Sequence, residues 1–278
     1  MKLNIKNSFT PAYQRFIKRG TSGITAASRV LPDFIVIGTV RSGSTSLYYN
    51  ICEHPVVLPA AYDEIGFFDS NFHLGLKWYQ SMFPKKSAME KIRNKTNFAI
   101  TGEDTPFYFW KEEVPKRIQN TVPKCKLITI LRNPVDRAYS NYHLGKRSKR
   151  ESLSFEDAIH QEMQRIENGV NREHYDHNSS YLTKGLYDLQ LMEWYNIFPK
   201  EKILVISTEE LSQNPVDTMN KTYEFLEIPE YKISNPQKRK LENYEKMSDN
   251  IRNELISFFK PHNEKLFEMI NKRFDWNK

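Results

Sequence analysis

The segment Phe34 to Leu47, FIVIGTVRSGSTSL, restricts the fold more than any other part of this chain. Its apolar run Phe34-Ile35-Val36-Ile37 stops at Gly38, a polar loop covers Thr39 to Gly43, and Ser44-Thr45-Ser46 opens a helical stretch. A strand, a glycine-bounded loop and a helix N-terminus make a cradle in which backbone N–H groups hold phosphate. The spacing is G-x-x-x-x-G-S-T. A nucleotide-hydrolysing loop reads G-x-x-x-x-G-K-[ST], with its lysine on the terminal phosphates. Here Ser44 replaces that lysine and the positive charge lies inside the loop, at Arg41. The chain keeps the cradle without the usual grip on a triphosphate, which points to a different phosphate-bearing donor.

A second segment, Lys126 to Ser140 (KLITILRNPVDRAYS), repeats the logic. The run Leu127 to Leu131 reads as a buried strand. It ends in Arg132 and a turn at Asn133-Pro134, with Pro134 suited to the first position of a helix that carries Ser140. A strand-end arginine and a serine about two helical turns later can converge on one anion. With both segments in view, the chain resembles the sulfotransferase superfamily, and most closely its carbohydrate and heparan-sulfate type. The resemblance runs from Pro32 to Ile270. It implies a donor, 3′-phosphoadenosine-5′-phosphosulfate (PAPS), bound through a 5′-phosphosulfate loop and a 3′-phosphate motif.

The 278 residues, 39% hydrophobic and 27% charged, suit one large α/β domain and exclude a disordered chain. We expect residues 1–31 to be an N-terminal extension and 32–278 to form a single domain. The net charge of +7 and pI near 9.1 suit an anionic donor or polymer, a membrane surface or nucleic acid, and charge alone does not choose among them. Cys52 and Cys125 are isolated and read as reduced residues at the core edge. No run approaches the roughly 18 apolar residues of a membrane span, and residues 1–31 lack the apolar stretch of a signal peptide. A cytoplasmic enzyme with no transmembrane segment is the expectation. Tyr13, Phe16 and Ile17 among basic residues suggest a short amphipathic helix or a docked extension.

Strand signals fall at Phe34–Gly38, Phe98–Gly102, Lys126–Leu131 and Ile203–Ser207, separated by helical patterns. Such runs predict a parallel sheet flanked by helices on both faces, a phosphate-loop-like α/β fold with ligands at the carboxyl ends of the strands. Asp157–Glu167 and Asn250–Ile270 read as amphipathic helices, and Val170–Ser180 as a surface loop.

The resemblance assigns roles. Glu64, just before Phe67-Phe68, matches the family's proposed catalytic base, with Asp63 the neighbouring alternative. An attacking hydroxyl or amine must lose a proton, and a carboxylate in a partly apolar cleft suits that task. Arg41 takes the position of the family's loop lysine or arginine and would stabilise charge on the departing phosphate. Ser42, Gly43, Ser44, Thr45 and Ser46 would hold the 5′-phosphosulfate, and Arg132 with Ser140 the 3′-phosphate. Tyr187, in Gly185-Leu186-Tyr187, would reach the nucleotide. Lys238 and Arg239 would belong to a loop closing over the 3′-phosphate and adenine. The local sequence also admits plain structural roles: a solvated or capping Glu64, N-capping hydroxyls, and an Arg132 paired with Asp136 or with an acid nearer the C-terminus. His143 reads as a helix-surface histidine. Lys77-Trp78-Tyr79 and Phe83-Pro84 read as packing around the cleft, and Trp194 as core. The expected activity is sulfuryl transfer from PAPS to a hydroxyl or amine, with a carbohydrate the expected acceptor, releasing 3′,5′-ADP, with no metal and no nucleic-acid partner. A nucleotide-dependent kinase and a non-catalytic basic anion- or glycan-binding protein are the rivals.

Overall fold

The apolar runs of the first and third strand signals become strands buried on both sides of the pleat: all of Phe34–Gly38 is buried, as is all of Lys126–Leu131 after its first residue. The computed structural model describes residues 22–169, 180–233 and 244–277. In chain order the elements begin with β1 (Phe34–Gly38), α1 (Ser44–Cys52), β2 (Val57–Pro59), α2 (Gly75–Gln80) and α3 (Lys86–Thr96). Next come β3 (Ile100–Asp104), α4 (Val114–Thr121), β4 (Lys126–Leu131), α5 (Pro134–Arg147), α6 (Phe155–Glu167) and α7 (Tyr187–Tyr195). The chain continues through β5 (Ile203–Ser207), α8 (Thr208–Gln213), α9 (Pro215–Leu226) and α10 (Asp249–Ile270). The strands form a five-stranded sheet in the order β2-β3-β1-β4-β5. β1 runs parallel to β3 and β4, and β2 parallel to β3.

β1, β4 and β5 have the bounds that the sequence implied. β3 starts later than expected, at Ile100, because Asn97 closes α3 in a left-handed conformation and leaves Phe98 on the surface. β2 is an addition. It is too short for periodicity to show, and Pro59 at its end is tolerated because β2 is an edge strand. α6 begins at Phe155, where the Ser154 side chain caps the Asp157 N–H. Both cysteines are free and lie in the core, Cys52 at the end of α1 and Cys125 just before β4.

The chain divides into two compact units. The first, Met1–Thr39, Gly43–Ile130 and Trp194–Arg239, contains the sheet. Its core joins Phe34 and Val36 of β1, Ile128 and Ile130 of β4 and Ile206 of β5 to Leu47 and Ile51 of α1 and Met219 and Tyr223 of α9. Period-2 alternation turns Ile35, Ile37 and Leu127 to the opposite face, and they are fully buried too. Gly102 in β3 is required by contact: a Cβ there would lie 2.6 Å from the Phe34 ring.

The second unit, Val40–Ser42, Leu131–Glu193 and Lys240–Lys278, is helical. Val135, Ala138 and Tyr142 of α5 pack with Ile159 of α6 and with Leu255 and Phe259 of α10. A fully buried carboxylate, Glu162, pins the segment before α7 by accepting from the Leu182 N–H at 2.8 Å and the Thr183 N–H at 2.9 Å.

Candidate active site

The phosphate-loop motif folds as its spacing requires. In the first unit, β1 ends at Gly38, whose φ is +153°. A Cβ at Gly38 would come within 2.7 Å of the Phe109 Cβ and 2.9 Å of the Pro106 oxygen, so only glycine fits. The Thr39 N–H bonds the Ile130 carbonyl at 2.8 Å. Gly43, at φ +93°, is the N-cap of α1 and supplies no side-chain cap. Helix geometry leaves the first N–H groups without intrahelical partners, so those of Ser44, Thr45 and Ser46 end α1 as donors for an anion. Ser44 is buried, whereas Thr45 and Ser46 are half-buried.

In the second unit, Arg41 adopts a left-handed backbone, φ +67°, uncommon for a side-chain-bearing residue. Its Nε donates to the Ser140 hydroxyl at 3.0 Å. The Arg132 guanidinium reaches back to the Arg41 carbonyl at 3.4 Å. Arg41, Arg132 and Ser140 therefore form one hydrogen-bonded set. Asp136, the structural partner the sequence allowed for Arg132, instead pairs with Arg252 at 2.6 Å. Asn133 caps α5 through the Val135 N–H at 3.0 Å. Tyr187 is buried, and its hydroxyl donates to the Arg132 carbonyl at 3.0 Å. It thus fastens the backbone of the strand-end arginine. Ser42 is fully buried.

Glu64 also lies in the first unit. Its backbone is left-handed, φ +53°, and its N–H donates to the Asp104 carbonyl at 2.9 Å. The residue is exposed, but packing around the carboxyl, then the charges of Asp63 and Asp69, raise its pKa above the ordinary glutamate value. That direction suits a base, which must hold a proton once it has taken it. Asp63 accepts from the Tyr49 hydroxyl. Phe67 and Phe68 behind the turn are core, with Phe67 stacked on Tyr79 at 4.3 Å between centroids.

His143 is half-buried in an aromatic cluster, stacked on Tyr244 at 4.2 Å. Trp194 is core, its Nε1 donating to the Phe109 carbonyl at 3.1 Å. Lys238, Arg239 and residues 170–179 lie outside the described residues, as do Tyr13, Phe16 and Ile17. Among the described residues no group of three or more His, Cys, Asp or Glu is arranged to hold a metal ion, and no helix is long and apolar enough to cross a membrane.

Comparisons with known proteins place the chain in a family. The sulfotransferase domain family matches residues 31–272. The chain belongs to that family. It is 29% identical to a membrane-associated sulfotransferase of Dictyostelium discoideum over 88% of this chain and 66% of the relative. It is 30% identical to the human bifunctional heparan sulfate N-deacetylase/N-sulfotransferase 3, over 87% of this chain but only 30% of that protein. The chain thus spans about two thirds of the first relative's length and under a third of the second's. A sulfotransferase crystal structure from Alicyclobacillus acidocaldarius superposes with a TM-score of 0.69 at 26% identity, covering 90% of this chain and all of that one.

Within this sulfotransferase domain, two acids escaped the sequence reading. Glu103 and Asp104 end β3, point to opposite faces and have no exposed surface. Asp104 has no hydrogen-bond partner for either carboxylate oxygen. Burial, then Asp63, Glu64 and Glu103, drive its pKa well above the aspartate range, and the Thr45 hydroxyl only weakly opposes the rise. Glu103 is raised to about 7 by burial, opposed by the hydroxyls that bond it. The available signal was an acid pair closing an apolar strand, followed by Thr105-Pro106, at the strand end where ligands bind.

Proposed function

We propose that this sulfotransferase domain moves the sulfuryl group of PAPS to a hydroxyl or amine of a carbohydrate acceptor. The observation that carries the reading is the phosphate loop: a strand, a glycine-closed turn and a helix N-terminus without a side-chain cap, with Arg41 in hydrogen-bonded company with Ser140 and Arg132. The N–H groups of Ser44, Thr45 and Ser46 would hold the 5′-phosphosulfate. Arg132 and Ser140 would hold the 3′-phosphate, with Tyr187 fixing the Arg132 backbone and Lys238 and Arg239 contributing from their own segment.

In the transfer, the acceptor oxygen or nitrogen attacks sulfur in line. The bond from sulfur to the 5′-phosphate oxygen breaks, and the acceptor proton passes to Glu64. The products are a sulfate ester or sulfamate and 3′,5′-ADP. Arg41 and the loop amides stabilise charge that grows on the departing phosphate, which leaves as an anion and needs no proton. A carbohydrate acceptor is supported by the heparan-sulfate relative, whose name also admits an amine.

Calorimetric titration with 3′,5′-ADP and with 5′-AMP tests the donor. Charge-assisted contacts worth about 1.5–3 kcal/mol each should favour 3′,5′-ADP by roughly 10² or more. Arg132→Ala with Ser140→Ala should erase most of that preference. Equal affinity of the wild-type protein for the two nucleotides would end the PAPS assignment.

A further inference from the structure

We propose that Glu103 is a positioning residue for the turn that carries Glu64, acting through the hydroxyls of Thr105 and Tyr108. This rests on the reading of Glu64 as the base. The turn needs restraint. Glu64 and Gly66 are both left-handed, at φ +53° and +61°, and the segment belongs to no strand. Three of its N–H groups are tied to the end of β3 and the residues after it. Glu64 donates to the Asp104 carbonyl at 2.9 Å, Gly66 to the Thr105 hydroxyl at 3.1 Å and Phe68 to the Tyr108 hydroxyl at 3.1 Å.

The two hydroxyls can accept from the turn because their own protons go elsewhere. Thr105 donates to one Glu103 oxygen at 2.9 Å, and Tyr108 to the other at 3.3 Å. A hydroxyl has one proton and two lone pairs, and an ionised carboxylate only accepts. Glu103 thus dictates the direction of both hydroxyls and leaves a lone pair of each facing a turn N–H. Neither link can be reversed without burying an unsatisfied donor. Tyr79 supplies an internal control. Its hydroxyl donates to Glu103 at 2.6 Å, and its ring stacks on Phe67. Tyr79→Phe removes one bond to the same carboxylate without cutting a hydroxyl link to the turn.

The test uses the full chain at pH 8 with 3′,5′-ADP bound. Amide hydrogen exchange at Gly66 and Phe68 should quicken about 10-fold or more in Glu103→Gln, at Phe68 in Tyr108→Phe and at Gly66 in Thr105→Val, with Tyr79→Phe close to wild type. Thr105→Ser, which keeps the hydroxyl, should restore protection if Thr105→Val folds poorly. Turnover of PAPS with de-N-sulfated heparin adds a second reading. Tyr108→Phe and Thr105→Val should each lower kcat about 10-fold, since small misplacements of a reacting group are costly. In a Glu64→Gln background the same changes should cost nothing further. The exchange data decide even if that glycan is no acceptor. Unchanged protection in Glu103→Gln, or equal effects in Tyr79→Phe and Tyr108→Phe, would overturn the proposal. Kinetic losses that persist undiminished beside Glu64→Gln would do the same. A Glu64→Gln enzyme with wild-type turnover would instead remove the base assignment itself.

Discussion

Asp104→Asn should make this protein more stable, and the gain should grow with pH. Asp104 has no exposed surface and no hydrogen-bond partner for either oxygen, and its acidic neighbours Asp63, Glu64 and Glu103 all oppose its ionisation. Its native pKa therefore lies well above the unfolded value of about 3.9. Between those two values the native protein holds one proton more than the unfolded chain. Stability contributed by that proton is fully present below the unfolded pKa and is lost as pH rises toward the native one. The slope is one proton's worth, about 1.4 kcal/mol per pH unit. Asparagine has nearly the same shape, is buried as a neutral amide and does not titrate. Wild type and variant should therefore be nearly matched at pH 4, and the variant should gain about 1.4 kcal/mol for each further unit over which Asp104 stays protonated in the native protein. Urea unfolding of both proteins at half-unit steps, followed by the fluorescence of buried Trp110 and Trp194, measures the difference. A gap that stays flat with pH, or that favours the wild type more as pH rises, would refute the reasoning, because it would mean that Asp104 is ionised and satisfied in the native state.

Three further outcomes follow from the site. Glu64→Gln should lower transfer about 10²-fold or more, the scale of general-base loss, while 3′,5′-ADP affinity by calorimetry stays near wild type. Arg41→Ala should weaken donor binding and lower kcat by about 10²–10³, and Arg41→Lys should recover much of both in steady-state kinetics, since charge on the leaving oxygen is what the residue answers. Gly38→Ala should cost at least about 1–3 kcal/mol, read as a lowered melting temperature, because its methyl would sit 2.7 Å from the Phe109 Cβ on a left-handed backbone.

The sequence by itself determined four strands of the five-stranded sheet and the phosphate loop. β1 is apolar throughout, and β4 is apolar over its buried length except for Thr129, a pattern that local composition can carry, and the glycines and hydroxyls of the loop obey rules of backbone geometry that need no partner. The family, the strand-end position of Arg132 and the start of α1 at Ser44 followed from the same local signals. β2 was illegible because its three residues form a strand only through pairing with β3. The tertiary structure alone decided the polar contacts. It joined Arg41 to Ser140 across 99 positions of sequence, sent the Tyr187 hydroxyl to Arg132, and gave Asp136 to Arg252. It also separated two adjacent acids that look alike in the sequence: Glu103 accepts from three hydroxyls, whereas neither Asp104 oxygen has a partner in hydrogen-bonding geometry. Alternation along a strand sends neighbours to opposite faces, but which groups wait there is set by chain segments far away in sequence. Apolar burial is a sum over many weak contacts and so is written into composition, whereas a hydrogen bond depends on one partner at one distance and angle, which only the folded chain supplies.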